Sequence, residues 1–594
     1  MQDASGGILA DDMGLGKTLI MLAAIVGSMA RAADFACRDM REPIQHWQDV
    51  KASKATLVIV PSAQVYFLTL HPGLAHNPRH IEPGTIRTHR FHGGGKGIGV
   101  AELQQYNLVL TTYASVAADF CRGRSILHHI HWFRVILDEG NLARMQTFAL
   151  ADLQAHFVRN AATKQFRAIH ALSASIRWCL TGTPIQNSLE DLGALVKFLK
   201  VPILDDLAIF RRHVIMPIVS TASARYTNLR RLLEALCLRR TKSLLNLPEP
   251  VIDTHFLELC PEERLKYDDY GEYCKHSINM AISGHSLKKA NQHVIQAILG
   301  MRLFCNDGEG ALIKRMYASG LPPNPEEALS YLQASANSSC VQCGSEILNM
   351  YQDGDLSSGR LTICQHLICG ECLPLYESDL DGSQEGGRSQ CPICGLRGDR
   401  STFISRPAAS TEIVRSSDGM YPTKLQALLR NVQSQEANGK CVIFSFWKTT
   451  LDIVAQMFDN NELPYYRIHG QIPASKRSKT LIDFESSSNV RILLITLGTG
   501  AVGLNKLKVA NHIHIMEPQW NPSVESQAIG RVLRFGQEKA VKVIRYIMKD
   551  TVEEAVQSRQ LRKLQLLRGG FGLVKDEHTS RRVEEIMVRG TCQP

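Results

Sequence analysis

The run Gly14-Leu15-Gly16-Lys17-Thr18 lies between an apolar stretch (Ile8, Leu9, Ala10) and a second one over residues 19–25. Strand, glycine-rich turn and helix, in that order, are what a phosphate cradle requires. Glycines let backbone N–H groups approach phosphate oxygens, and the helix N-terminus adds partial positive charge. Lys17 would reach the β- and γ-phosphates of ATP, and the Thr18 hydroxyl would sit on Mg²⁺. Asp11 stands where the usual first glycine would be, so the loop is a variant form. The expected nucleotide contacts are Asp12, Met13, Gly14, Leu15, Gly16, Lys17, Thr18 and Leu19.

A second constellation is Asp138-Glu139, which closes the apolar run 133–137. Adjacent carboxylates at a strand end are common on solvated surfaces, but after a phosphate loop they read as catalytic. Asp138 would hold the Mg²⁺ and Glu139 would orient and deprotonate the attacking water. Arg531 and Arg534 stand three apart on a helical stretch, share a face and can both point at one γ-phosphate. They read as arginine fingers, which stabilise charge developing on the transferred phosphoryl group. Finally, Cys340, Cys343, Cys364, His366, Cys369, Cys372, Cys391 and Cys394 form four closely spaced ligand pairs. Thiolates three positions apart present both sulfurs to one tetrahedral Zn²⁺, so eight ligands predict two structural zincs.

These groups need a parallel α/β framework to hold them. Residues 57–60 read as a buried strand ending at Pro61. Residues 108–110 lead to Thr111-Thr112-Tyr113, and 178–180 lead to Thr181. A second strand–helix series starts at 441–445, continues through 467–470, 492–496 and 498–505, and ends at 527–537. Continuous apolar runs closed by polar residues present chemistry at the C-terminal edge of a parallel sheet. At 594 residues the chain exceeds one core and predicts about three to five domains. No run of about 18 apolar residues is present, so no membrane span or membrane partner is expected. Its start lacks the basic-then-apolar pattern of a signal peptide. A net charge of +10 fits a polyanionic partner. Of sixteen cysteines, seven fall between residues 340 and 394, a clustering that argues for metal ligands rather than disulfides.

In this order the motifs ADDMGLGKT, LVIVPS, LTTY, DEG, LTGTPIQN, VIFSFW, RIHG, GTGAVGLN and QAIGRVLRFGQ resemble the Swi/Snf-type ATPases of helicase superfamily two, from Gly6 to about Val556. The resemblance implies an α/β fold: two RecA-like parallel-sheet lobes with a small zinc-bound RING domain inserted between them. Such lobes close on ATP and walk along double-stranded DNA without separating its strands. Gln527 would join the nucleotide contacts, and Thr111, Thr112, Ser445 and Thr499 would lie near the DNA backbone. Contacts of that kind position a protein without reading sequence.

The cysteine pattern resembles the RING finger, whose cross-brace assigns Cys340, Cys343, Cys369 and Cys372 to one zinc. Cys364, His366, Cys391 and Cys394 would take the other. RING fingers recruit a ubiquitin-conjugating enzyme and activate its thioester by positioning, and Pro392 fits that docking surface. Gln342 and Gly395 depart from the residues usual in ligases, which leaves a zinc-stapled interaction module as the other reading. A RING embedded here resembles the post-replication-repair translocase and ubiquitin-ligase branch. That branch implies a nuclear protein of DNA repair or chromatin remodelling, although no dense basic run marks a nuclear localisation signal.

The expected layout places a first lobe at 1–245, an interlobe helical segment at 246–335 and the RING at 336–398. A linker at 399–420, a second lobe at 421–575 and a tail at 576–594 follow, and 286–306 reads as an amphipathic helix. Four departures from the family stand out. The chain begins close to the phosphate loop, so the first lobe reads as N-terminally truncated, without the glutamine that reads adenine. The tryptophan helix usual after LVIVPS is missing from 64–78, and Leu533 replaces a histidine between the two arginines. The fourth is fifteen residues, 141–155, that separate Asp138-Glu139-Gly140 from the family-like continuation at His156. Catalytic groups need placement to about half an ångström, and Gly-Asn can be encoded by a splice-donor-like GGTAAC. The segment therefore reads as a retained intron, with a long functional loop as the alternative. Two function classes follow: a DNA-stimulated ATPase with ubiquitin-ligase activity, or a catalytically impaired relative that binds DNA or protein through its zinc module.

Overall fold

The first seven strands form one sheet. They are β1 (Gly6–Leu9), β2 (Lys51–Val60), β3 (Thr88–Arg90), β4 (Leu108–Thr112), β5 (Ile130–Asp138), β6 (Ser173–Leu180) and β7 (Cys237–Leu238). All its pairings are parallel, in the order β3-β4-β2-β5-β6-β1-β7, and helix α1 (Lys17–Gly27) follows β1. The computed structural model describes residues 6–12, 14–39, 50–60, 84–121, 123, 125–138, 164–182, 184–185, 189–219, 226–241, 250–283, 287–309, 328–329, 331–332, 338–343, 347, 350, 358–362, 364, 366–382, 389–398, 421–435, 439–469, 472, 474–497, 507–534 and 536–570.

Alternation along the central strands explains why they are largely apolar on both faces. Leu57, Ile59, Val135 and Leu137 feed one apolar layer, while Val58, Val60, Ile136 and Leu180 feed another. A sheet covered on both faces has no solvent side; Arg134 and Arg177 interrupt the pattern within β5 and β6 and are themselves buried.

Next come β8 (Val251–Leu257), α2 (Pro261–Ser283) and α3 (Leu287–Asp307). The cysteine-rich segment holds β9 (Gly359–Leu361), β10 (Leu367–Cys369), α4 (Leu373–Gly382), β11 (Ser389–Gln390) and β12 (Arg397–Gly398). There β9 pairs with β10 and β11 with β12, both antiparallel. The chain continues through α5 (Thr423–Gln433), β13 (Cys441–Ser445), β14 (Tyr465–Ile468), β15 (Ile492–Thr496) and β16 (His512–Ile515). It closes with α6 (Pro522–Val532), β17 (Lys542–Met548) and α7 (Val552–Gly570). The second sheet is also wholly parallel, in the order β14-β15-β13-β16-β17-β8.

The segment 246–335, read from the sequence as interlobe and helical, therefore opens with a strand of the second sheet. All seven residues of β8 pair with β17. Its edge position leaves Val251, Ile252 and Phe256 exposed, and Asp253-Thr254-His255 interrupt the apolar pattern, which is why the strand was not visible in sequence. Helix α3 matches the amphipathic helix expected over 286–306 to within a residue.

Candidate active site between the two lobes

The phosphate loop leaves the C-terminal end of β1, whose Leu9 and Ala10 are buried. Gly14 and Gly16 have φ of +92° and +76°, the left-handed region that glycine enters without a Cβ clash. Gly16 occupies the N-cap of α1, where no side chain caps the helix and no acidic residue lies in the first turn. The helix N-terminus thus keeps its partial positive charge for an anion. Lys17 Nζ folds over the loop, donating to the Asp11 carbonyl at 2.8 Å and the Asp12 carbonyl at 3.4 Å. Thr18 follows it in the first turn, half-buried, and Leu15 and Leu19 flank the loop. Met13 lies outside the described residues.

Two ion pairs anchor this loop, and sequence reasoning missed both. Asp11 is inaccessible to solvent, and its carboxylate accepts a fork from Arg240: Nε reaches both oxygens at 3.1 Å and Nη2 reaches Oδ2 at 2.5 Å. The Arg240 backbone N–H adds a bond to Asp11 Oδ1 at 2.8 Å. Asp12 pairs with Arg239 at 3.6 Å. The signal in the sequence was Arg239-Arg240 at the end of an apolar stretch, together with the acid that replaces a loop glycine.

Asp138 ends β5 and is 6% exposed, with its carbonyl accepting from the Tyr113 hydroxyl at 3.1 Å. In register it sits beside Leu180, which in turn sits beside Leu9. Carboxylate and phosphate loop therefore leave the same sheet edge, two strand spacings or about 10 Å apart. Glu139, residues 141–155 and His156 lie outside the described residues.

Arg531 lies in the last turn of α6, and Arg534 stands two residues beyond its end at Val532. A Cβ added at Gly14 would meet the Arg534 Cβ at 3.6 Å and the Leu533 carbonyl at 3.9 Å. The second lobe thus brings its arginine segment directly against the phosphate loop of the first. Burial, reinforced by the charge of Arg531, pushes the Arg534 guanidinium below its ordinary pKa. Like charges held beside a phosphate loop form a site that a polyphosphate would relax. Gln527 lies one turn before Arg531 on α6, half-buried.

The residues expected at the DNA backbone are turned inward. Thr111, Thr112 and Ser445 are all fully buried. Thr111 Oγ1 donates to the Phe91 carbonyl at 2.9 Å, Thr112 Oγ1 to Glu371 Oε2 at 2.8 Å, and Ser445 Oγ to Glu517 Oε2 at 3.1 Å. Each hydroxyl is already committed within the protein, so it does not face a duplex in this conformation. Thr499 lies outside the described residues.

Cys340, Cys343, Cys369 and Cys372 gather their sulfurs within 4.8 Å of one another, and the sulfurs of Cys364, Cys391 and Cys394 gather likewise with a ring nitrogen of His366. Cys343 Sγ lies 3.6 Å from Cys369 Sγ, and Cys364 Sγ lies 3.6 Å from Cys391 Sγ. Four sulfurs about 2.3 Å from a tetrahedral Zn²⁺ would be about 3.8 Å apart, so the clusters fit that ion. Neighbouring thiols hold Cys340 down while pushing Cys369 and Cys372 up, because four adjacent thiolates repel until a cation joins them.

The SNF2-related domain family matches residues 1–309, and the helicase conserved C-terminal domain matches residues 423–536. The DNA repair protein RAD5B of Arabidopsis thaliana is 30% identical over 633 aligned residues, covering 99% of this chain and 47% of the relative. The DNA repair protein rad8 of Schizosaccharomyces pombe is 28% identical over 642, covering 98% and 54%. The chain thus spans about half the length of these curated relatives. Among solved structures, the SWI2/SNF2 ATPase core of Sulfolobus solfataricus in complex with dsDNA aligns at 18% identity with a TM-score of 0.34, covering 95% of this chain and 87% of that one. Because the SNF2-related match alone takes in more than half of the sequence, the chain belongs to the SNF2-related family.

Proposed function

We propose that the chain is a DNA-dependent ATPase that translocates on double-stranded DNA, and that its embedded zinc module acts as a RING-type ubiquitin ligase. The observation that carries the motor reading is the approach of Arg534 to Gly14, within van der Waals range of a Cβ there. A nucleotide held in that loop would be enclosed by groups from both lobes, so its hydrolysis would be linked to their relative movement.

In this reading Lys17 and the N-terminus of α1 bind the β- and γ-phosphates, and Thr18 and Asp138 hold Mg²⁺. When bound, the ion neutralises phosphate charge. Glu139 takes the proton of the attacking water, while Arg531 and Arg534 stabilise charge on the γ-phosphoryl group. The two thiol clusters hold one Zn²⁺ each and keep the module folded, so that it can recruit a ubiquitin-conjugating enzyme. The names of the relatives, DNA repair proteins RAD5B and rad8, favour a nuclear role in repair. A zinc-stapled relative that binds without turnover is favoured by one observation, the fifteen residues 141–155 behind Glu139.

The test is ATP turnover with and without duplex DNA. Lys17→Ala and Arg534→Ala should each lower turnover by roughly 100-fold or more. Glu139→Gln should retain nucleotide binding while abolishing turnover. Equal DNA-stimulated rates in wild type and all three variants would remove these residues from the mechanism. For the ligase, ubiquitin chains should form with a charged conjugating enzyme and fail with Cys364→Ser; no chains from wild type with any conjugating enzyme would overturn it.

A further inference from the structure

Helix α3 ends where the chain departs for the zinc module, yet its last turns are buried in the second lobe. Arg302 is 3% exposed and lies between two indole rings, 5.0 Å from the Trp447 centroid and 5.5 Å from that of Trp520. Its Nη2 donates to the Pro518 carbonyl at 2.8 Å. One turn on, inaccessible Asn306 donates from Nδ2 to Glu517 Oε2 at 2.9 Å and accepts at Oδ1 from Lys424 Nζ at 2.8 Å. Lys424 Nζ also reaches Glu553 Oε1 at 2.5 Å, which ties in α7.

Glu517, Pro518, Gln519 and Trp520 form the connection between β16 and α6. The Gln519 N–H donates to Glu525 Oε1 at 2.8 Å, and Glu525 lies in the first turn of α6, 1% exposed. Glu525 also pairs with Arg545 at 3.0 Å and accepts from Gln560 Nε2. The connection is therefore gripped by α3 on one side and by the first turn of α6 on the other. From Glu525 to the end of α6 at Val532 is about 11 Å at 1.5 Å per residue, so a tilt of about 5° at that grip moves the helix end, and Arg534 just beyond it, by about 1 Å. Misplacement of that size costs about 100-fold in rate at a catalytic centre.

A role in stability alone does not call for these residues. Burial disfavours the charged guanidinium of Arg302 and lowers its pKa. Replacing a buried ionic group by apolar side chains of similar volume is often neutral or stabilising. In some proteins such a group fixes one register instead. We propose that Arg302 and Asn306 are positioning residues for ATP hydrolysis: from the root of the zinc-module insertion they fix the connection ahead of α6, and so hold Arg531 and Arg534 against the phosphate loop. The proposal rests on the reading that these two arginines act on the γ-phosphate.

The experiment uses the full chain with duplex DNA and the variants Arg302→Met, Arg302→Lys and Asn306→Ala. The kcat should fall at least tenfold in Arg302→Met and Asn306→Ala and less in Arg302→Lys, while KM for ATP and affinity for ADP stay within threefold. Tighter binding of ADP with aluminium fluoride than of ADP alone, which reports the arginines without turnover, should be lost in step with kcat. An unchanged kcat, or a retained preference for the fluoride complex, in folded Arg302→Met or Asn306→Ala would overturn the proposal. Should those two unfold the second lobe, Arg302→Lys decides by the same pair of readouts, unchanged values overturning it. Failure of the ATPase reading registers differently: wild type itself would show no preference for the fluoride complex, and the positioning role falls with it.

Discussion

Asp11 replaces a loop glycine with a negative charge beside the expected triphosphate, and Arg240 answers it with three N–H donors, two of them in a bidentate fork. The two residues are 229 positions apart, so nothing local in the sequence connects them. Glu517 is a second case of distant compensation. Burial pushes its carboxyl up to about 7, and the Phe446 N–H, Lys424 and Arg302 limit the rise. A carboxyl with a folded pKa above its unfolded value binds protons more tightly when folded. Its contribution is present below the model-peptide value of 4.5 and is lost as pH rises to about 7. That loss is about 3 kcal/mol. His514, pushed down to about 3 by burial, runs the other way: its contribution is present above 6.5 and lost as pH falls. Glu517→Gln removes the first effect and leaves the second. Measured by chemical denaturation, the variant should therefore gain about 2–3 kcal/mol on wild type between pH 4.5 and pH 7.5. A difference between the two that does not change with pH would mean that Glu517 stays ionised throughout.

At the scale of elements, the strands around the site were legible because apolar runs lead into their functional residues, as residues 135–137 of β5 lead into Asp138. The candidate metal ligands were legible as close-spaced pairs, and the two groups that the structure gathers are those that the RING resemblance implied. Edge strand β8 was not legible, since apolar Val251 and Ile252 are exposed on opposite faces of it and Asp253-Thr254-His255 break any apolar alternation. The interior commitment of Thr112 was not legible either, because it depends on Glu371 in a module 259 residues away. Among the described residues, the segment with the two clusters has two-stranded sheets and one ten-residue helix, with Tyr376 donating from its hydroxyl to Cys391 Sγ at 3.4 Å. A segment with so little secondary structure would depend on bound metal for its stability. Metal analysis of the full chain should return two Zn²⁺. Cys364→Ser should release one and raise hydrogen exchange over 338–398 while leaving both parallel sheets protected. Full protection of 338–398 after both metals are stripped would be incompatible with a zinc-stapled module.

Across the whole molecule, the expected chemistry needs groups from segments near residues 17, 138 and 531, which only the meeting of two separate sheets can assemble. The first two are fixed by one sheet: β5 stays paired with β6 through Asp138, so the carboxylate position is set before the chain enters 141–155. The third arrives with α6 from the second lobe, against Gly14. ATP and Mg²⁺ binding should therefore tolerate the fifteen inserted residues better than coupling does. In the family that the motifs resemble, the residue corresponding to His156 directly follows the glycine after the carboxylate pair and links hydrolysis to lobe movement. Deleting 141–155, which leaves Asp-Glu-Gly-His, should raise DNA-stimulated turnover at least tenfold, about 1.4 kcal/mol or more in barrier. Affinity for nucleotide should change far less, because Lys17, Thr18 and Asp138 are untouched. A single ATPase titration on the two proteins checks both statements. No gain in turnover on deletion would sink the idea that the segment obstructs coupling and would make it a loop that the site accommodates.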